Sequence, residues 1–158
     1  MRREGLVMAT WSEIVAAAPD LAAAVQARFE AGRHKTIATL RADGSPRISG
    51  IECEFVDCHL RFGSMDGARK LADLLRDPRF ALHGPTEHPV EGKEADWPGE
   101  VKIAGRARPV PTPDSPAGGT QFEADITEVV FTHLDDAASM LIVERWTPTG
   151  GLKRAERA

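Results

Sequence analysis

The segment Gly63-Ser64-Met65-Asp66-Gly67-Ala68-Arg69-Lys70 gathers the residues best placed to do chemistry. A short apolar strand ends at Gly63 and a glycine-flanked turn follows. Ala68, Leu71, Ala72 and Leu75 then recur at the spacing of one helix face. The first N–H groups of a helix have no intrahelical acceptor, and the helix dipole places partial positive charge beside them. With a Ser hydroxyl and two cationic side chains close by, this helix start is an anion site, suited to a phosphate. A competing reading makes Asp66 with Lys70, and Arg69 with Asp73, ordinary solvated ion pairs four residues apart.

Other chemistries are excluded by missing residues. Position 87 is Glu and Lys93 is followed by Glu94, so there is no P-loop. Phe62 stands where a serine-hydrolase elbow at Ser64 would need glycine, and there is no His-Glu-x-x-His motif. The chain contains no Tyr, which removes any tyrosine acid or nucleophile. Cys53 and Cys58 have no second pair to complete a zinc site and are too few for a disulfide framework. His59, His83 and His88 read as packing or solvent-facing side chains, so no metal site is expected. Lys102, Arg106 and Arg108 alternate along one strand; a solvated outer face is the expectation, a positive field for an anionic ligand the alternative. A chain with so little side-chain chemistry is either not an enzyme or borrows a cofactor.

The frame that must position these residues is one domain of 158 residues. A net charge of −4, with 24 acidic against 20 basic residues, argues against a general nucleic-acid binder. No apolar run approaches the roughly 20 residues of a membrane helix, and no signal-peptide core follows the N-terminus, so a cytoplasmic protein is expected, with no membrane partner. Met8-Ala9-Thr10-Trp11 reads as an alternative start to Met1. Thr10 with Glu13 fits a capping box, and Pro19 suits the first turn of a second, alanine-rich helix ending at Gly32. Residues 1–33 are therefore read as a helical arm. From His34 the texture becomes short and β-branched. Strands are expected over Thr36–Leu40, Arg47–Phe55, Leu60–Phe62, Phe80–His83, Val101–Ala107, Phe122–His133 and Ser139–Thr147, with proline-bearing loops at Gly84–Gly99 and Pro109–Gly119. The fold class is mainly β: six or seven antiparallel strands closing into a small barrel over 34–147, with a short helix after strand three. Residues 148–158 read as a basic tail.

The order of Ile37-Ala38-Thr39-Leu40, Asp43-Gly44-Ser45-Pro46, Leu60-Arg61-Phe62-Gly63-Ser64, Ala68-Arg69-Lys70 and Asp77-Pro78-Arg79-Phe80 resembles the pyridoxamine 5′-phosphate oxidase-like, flavin-binding split barrels. The resemblance spans residues 34–147 and is strongest over 34–83. It implies a homodimeric split β-barrel that holds FMN, or in one branch a deazaflavin coenzyme, in a groove between subunits. It implies a flavin-dependent oxidoreductase passing hydride to or from a small-molecule substrate. By position it lays Ser49, Gly50 and Ile51 along the flavin, Ser64 and Met65 beside its ring or phosphate, and Arg69 and Lys70 on the phosphate. Trp146 and Arg154, with Gly150 and Gly151, resemble the segment that reaches the flavin of the other subunit; Trp146 reads equally well as barrel packing. Three departures stand out: Ala68 replaces the family's Ser, Ser49 stands where many FMN-binding members have Arg, and Leu152-Lys153-Arg154 replaces the segment that grips pyridoxal phosphate. Vitamin B6 oxidation is therefore not implied. Two further readings stay open: a haem-binding split barrel with His83, His88 or His133 as axial ligand, and a cofactor-binding module without turnover.

Overall fold

The structure, a computed structural model, describes residues 5–112 and 118–158. Met1 and the prolines at 113 and 116 of the expected loop lie outside these. Thr10 caps α1 (Trp11–Ala17). Its hydroxyl accepts the Glu13 N–H, and the Glu13 carboxylate accepts the Thr10 N–H at 2.7 Å. Pro19 opens α2 (Pro19–Glu30), where its missing N–H would have no acceptor in any case. The two helices bury Trp11, Ile14, Leu21, Val25 and Phe29 in the core.

Nine strands follow among the described residues: β1 (Lys35–Leu40), β2 (Pro46–Ile51), β3 (Cys53–Val56), β4 (His59–Ser64), β5 (Arg79–His83), β6 (Glu100–Val110), β7 (Thr120–Leu134), β8 (Leu141–Thr147) and β9 (Gly151–Arg157). α3 (Arg69–Arg76) lies between β4 and β5. All pairings are antiparallel, in the order β2-β1-β5-β6-β7-β4-β3, with β8 on β7 and β9 on β8. The long β7 is the spine. β6 runs along one of its edges, while the other pairs with β4 near Thr120–Glu123 and with β8 over Val129–Leu134. A register shift at Ala104/Gly105 bends β6 against β7, and a Cβ at Gly105 would run into the Asp125 carbonyl.

The antiparallel, mainly β architecture with N-terminal helices is the expected split barrel, but the strand count is nine rather than six or seven. Two segments account for the difference. The single strand expected over Arg47–Phe55 breaks at Glu52 into β2 and β3. The segment 148–158, read as a basic tail, contains β9, paired with β8 along its whole length. β9 lacks an apolar alternation because its residues from Leu152 onward are exposed, so backbone hydrogen bonds rather than a buried face define it.

The core joins two aromatic groups. Phe55 lies 4.6 Å from Trp11 and 5.9 Å from Phe29, centroid to centroid, fastening the helical arm to β3. Phe62 packs edge-on against Phe80 at 5.1 Å and stacks on Phe122 at 5.8 Å, closing β4 over β5 and β7. Ser64 therefore leaves the end of a strand whose inward face is fixed.

Candidate cofactor site

The chain leaves β4 at Ser64, and the Ala68 N–H donates to the Met65 carbonyl at 3.2 Å. Ala68 is extended, with φ −66° and ψ 137°, and gives α3 no side-chain cap; the first turn carries no acid. Arg69 and Lys70 open the helix, so its positive end meets two cations and no carboxylate. Lys70 Nζ donates to the Gly50 carbonyl at 3.1 Å, which brings the helix start against the end of β2. There Ser49 is half-buried, Gly50 exposed and Ile51 buried.

Neither of the ion pairs offered as the competing reading forms among the described residues. Asp73 turns inward, 2% exposed, and accepts hydrogen bonds from Thr39 Oγ1 at 2.8 Å, Arg47 Nε at 2.7 Å and Arg76 at 3.1 Å. Arg76 also donates to the Leu40 carbonyl at 2.6 Å. Burial pushes the Asp73 carboxyl up, but the hydrogen bonds from Arg47, Thr39 and Arg76 outweigh it and hold its pKa at about 2. This network locks α3 to β1 and β2, and Arg69 is left without a carboxylate partner among the described residues.

An open cavity of about 720 Å³ is walled by β3, β4, the end of α2 and Gln121, and Ser49, Gly50, Ile51, Arg69 and Lys70 are not among its lining residues. Ser64 and Met65 line it. Ser64 is 5% exposed, and its Oγ is buried without a hydrogen-bond partner among the described residues. Such an orphaned hydroxyl is uncommon in folded proteins and calls for an explanation. Gly119 takes φ +101°, and a Cβ there would strike the Ser64 carbonyl, so only glycine lets this loop approach. Sequence reasoning missed Lys35, Cys53 and Phe55, which also line the cavity. Lys35, Ile37 and Thr39 alternate on the inward face of β1, a period-two signal that includes the lysine. Burial pushes the Cys53 thiol up to about 11, so it remains protonated at neutral pH.

The other expected site residues lie elsewhere. Trp146 is 6% exposed within the core, paired across the sheet with Val129 and Leu152. Arg154 bonds Glu156 at 3.3 Å on β9. Thr120 pairs with Ser64 and Val129 with Trp146, so nine positions of β7, roughly 30 Å at strand rise, separate the two regions. Within one chain, Trp146 and Arg154 do not join Ser64 and Lys70. The basic face of β6 is largely neutralised: Lys102 lies 3.7 Å from Glu100, and Arg108 is 3.0 Å from Glu123 and 3.4 Å from Asp125. His83, His88 and His133 are not among the cavity's lining residues, and both ring nitrogens of His133 have acceptors, the Leu134 carbonyl and Glu144. Among the described residues no group of three His, Cys, Asp or Glu is placed to hold a metal, and no helix is long and apolar enough to cross a membrane.

Solved structures share this frame. An FMN-binding, pyridoxamine 5′-phosphate oxidase-related protein from Nostoc punctiforme superposes with a TM-score of 0.62 at 12% identity, covering 98% of this chain and 100% of that one. PhzG from Burkholderia lata, solved with tetrahydrophenazine-1-carboxylic acid, has a TM-score of 0.62 at 15% identity over 92% of this chain and 91% of its own. A haem-binding protein from Mycobacterium smegmatis has a TM-score of 0.55 at 17% identity, covering 84% of this chain and 57% of that one. At these identities the likeness is one of fold. No curated protein matches the chain. The sequence pattern of the pyridoxamine 5′-phosphate oxidase family matches residues 21–147, from α2 through β8, enclosing the cavity and the α3 start. By fold and by sequence alike, the chain belongs to the pyridoxamine 5′-phosphate oxidase family.

Proposed function

We propose that this protein is a flavin-dependent oxidoreductase that binds FMN in a groove between two copies of the chain and acts on a small molecule. The observation that carries the reading is the start of α3, where an uncapped, acid-free helix end carries Arg69 and Lys70, five and six residues after Ser64, whose buried Oγ lacks a partner among the described residues. A phosphate supplies what this corner lacks: acceptors for the helix N–H groups and negative charge for the two cations. Arg69 and Lys70 would hold the phosphate, while Ser64, Met65 and the Ser49–Ile51 end of β2 would flank the rest of the cofactor. FMN, when bound, supplies the redox chemistry, and the chain orients it and sets its electrostatic surroundings. A deazaflavin coenzyme, which also carries a phosphate, would use the same corner.

A second copy is supported by Ile48 on β2 and Met65 just after β4, 76% and 70% exposed, which leave large apolar side chains at the surface. It is supported also by Arg154, exposed on β9 and distant from the site within one chain, since a partner could present it. Titration of the purified protein with FMN, followed by quenching of flavin fluorescence, tests the reading. Saturation near one FMN per chain is expected. The absence of binding, together with a Soret band on adding haemin, would favour the haem-binding alternative.

A further inference from the structure

We infer that Lys35 is an anion-binding residue of the cavity and that the small molecule admitted there is a planar carboxylate. Lys35 is 7% exposed at the start of β1, and among the described residues its ammonium has one hydrogen-bond acceptor, the Arg33 carbonyl at 3.2 Å. An ammonium carries three donors, and no carboxylate lies within ion-pair distance of this one among the described residues. The other cations of the wall are occupied: Arg33 by Glu52 at 2.8 Å and Arg61 by Glu123 at 3.1 Å. Three carboxylates also line the cavity: Glu52 is paired with Arg33, Glu30 accepts from Gln26 Nε2, and the exposed Glu54 forms no ion pair among the described residues, its charge opposing that of Lys35 at Cys53.

A buried ammonium without a paired carboxylate gains from an anion that reaches it. The half-buried Phe55 lines the same cavity, whose volume of about 720 Å³ suits a small molecule. Lys35, the cation of this wall without a carboxylate in ion-pair distance among the described residues, together with the Phe55 ring favours a flat ligand with a single anionic end. The assignment of that ligand as substrate rests on the proposed cofactor reading; the anion site is tested independently of it.

The probes are 2-naphthoate and its uncharged counterpart 2-naphthamide, titrated by their own fluorescence into the full chain with and without FMN. Wild type should bind the acid at least about tenfold more tightly than the amide, the range expected of a charge-assisted hydrogen bond. Lys35→Met and Lys35→Gln should abolish that preference, Lys35→Arg should keep most of it, and FMN affinity should stay within about twofold in all three. Thermal melts identify any variant that fails to fold, and the remaining variants then decide. Equal binding of acid and amide by wild type, or a preference that survives in both Lys35→Met and Lys35→Gln, overturns the assignment. Discrimination by wild type without any FMN binding would keep the Lys35 site and overturn the flavin reading alone.

Discussion

Lys70 Nζ lies 3.1 Å from the Gly50 carbonyl oxygen, twenty residues away in the chain, and this contact turns a local motif into a site. Lys70 alone is a charge on a short helix. Held against Gly50, it lies beside the end of β2, while the Asp73 network prevents α3 from swinging away.

Removing Asp73 should reveal the strength of that lock. Asp73→Ala leaves Arg47, whose side chain is 16% exposed, without its carboxylate. A loss of about 3–5 kcal/mol is expected, the usual effect of stranding one member of a buried pair. Urea denaturation of wild type and variant measures it, and a loss below about 1 kcal/mol would place the pair among surface bridges.

The same carboxyl gives an acid limb to stability. Its pKa is about 2 in the folded chain against the ordinary 3.8, so the unfolded state binds the proton more readily. The contribution is complete above about pH 4 and is lost as pH falls through about 2. Between pH 5 and pH 2.5 the urea midpoint of wild type should fall more than that of Asp73→Asn. Parallel falls would contradict the assignment.

Thiol labelling separates the two cysteines. Cys58 is exposed in the β3–β4 turn, whereas burial pushes Cys53 up to about 11. At pH 8 a disulfide reagent should modify one thiol per chain quickly and the second much more slowly, and Cys58→Ser should remove the fast phase. A fast phase that persists in Cys58→Ser would place Cys53 in a more open cavity wall than the structure describes.

Trp146 separates packing from cofactor contact. It belongs to the core, so Trp146→Ala should cost about 3–5 kcal/mol in urea denaturation. Trp146→Phe, which keeps most of the volume, should restore most of that stability. If Trp146→Phe also leaves FMN affinity unchanged, the side chain serves the barrel alone.

What the sequence disclosed follows from how locally each feature is encoded. The capping box at Thr10, the helix after the β4 turn and the two cations at its start are set by neighbours a few residues apart, and each was legible. Asp73 was misread because its spacing from Arg69 suggested a solvated pair, while its real partners, Thr39 and Arg47, come from two distant strands. Lys35 left one trace, its place in the inward alternation of β1, and its chemistry depends on the distant β3 and β4 residues that line the cavity with it. β9 was missed because an exposed strand held by backbone pairing leaves no apolar pattern to read.

The central claim is that the α3 start grips a phosphate. FMN and riboflavin differ by that group, so the ratio of their affinities, measured by fluorescence quenching in wild type and in the Arg69→Ala/Lys70→Ala double variant, isolates it. Wild type should prefer FMN by about tenfold to a hundredfold, from charge-assisted contacts worth roughly 1.5–3 kcal/mol, and the double variant should bring the ratio close to one. An unchanged ratio, with both proteins folded, would contradict the account.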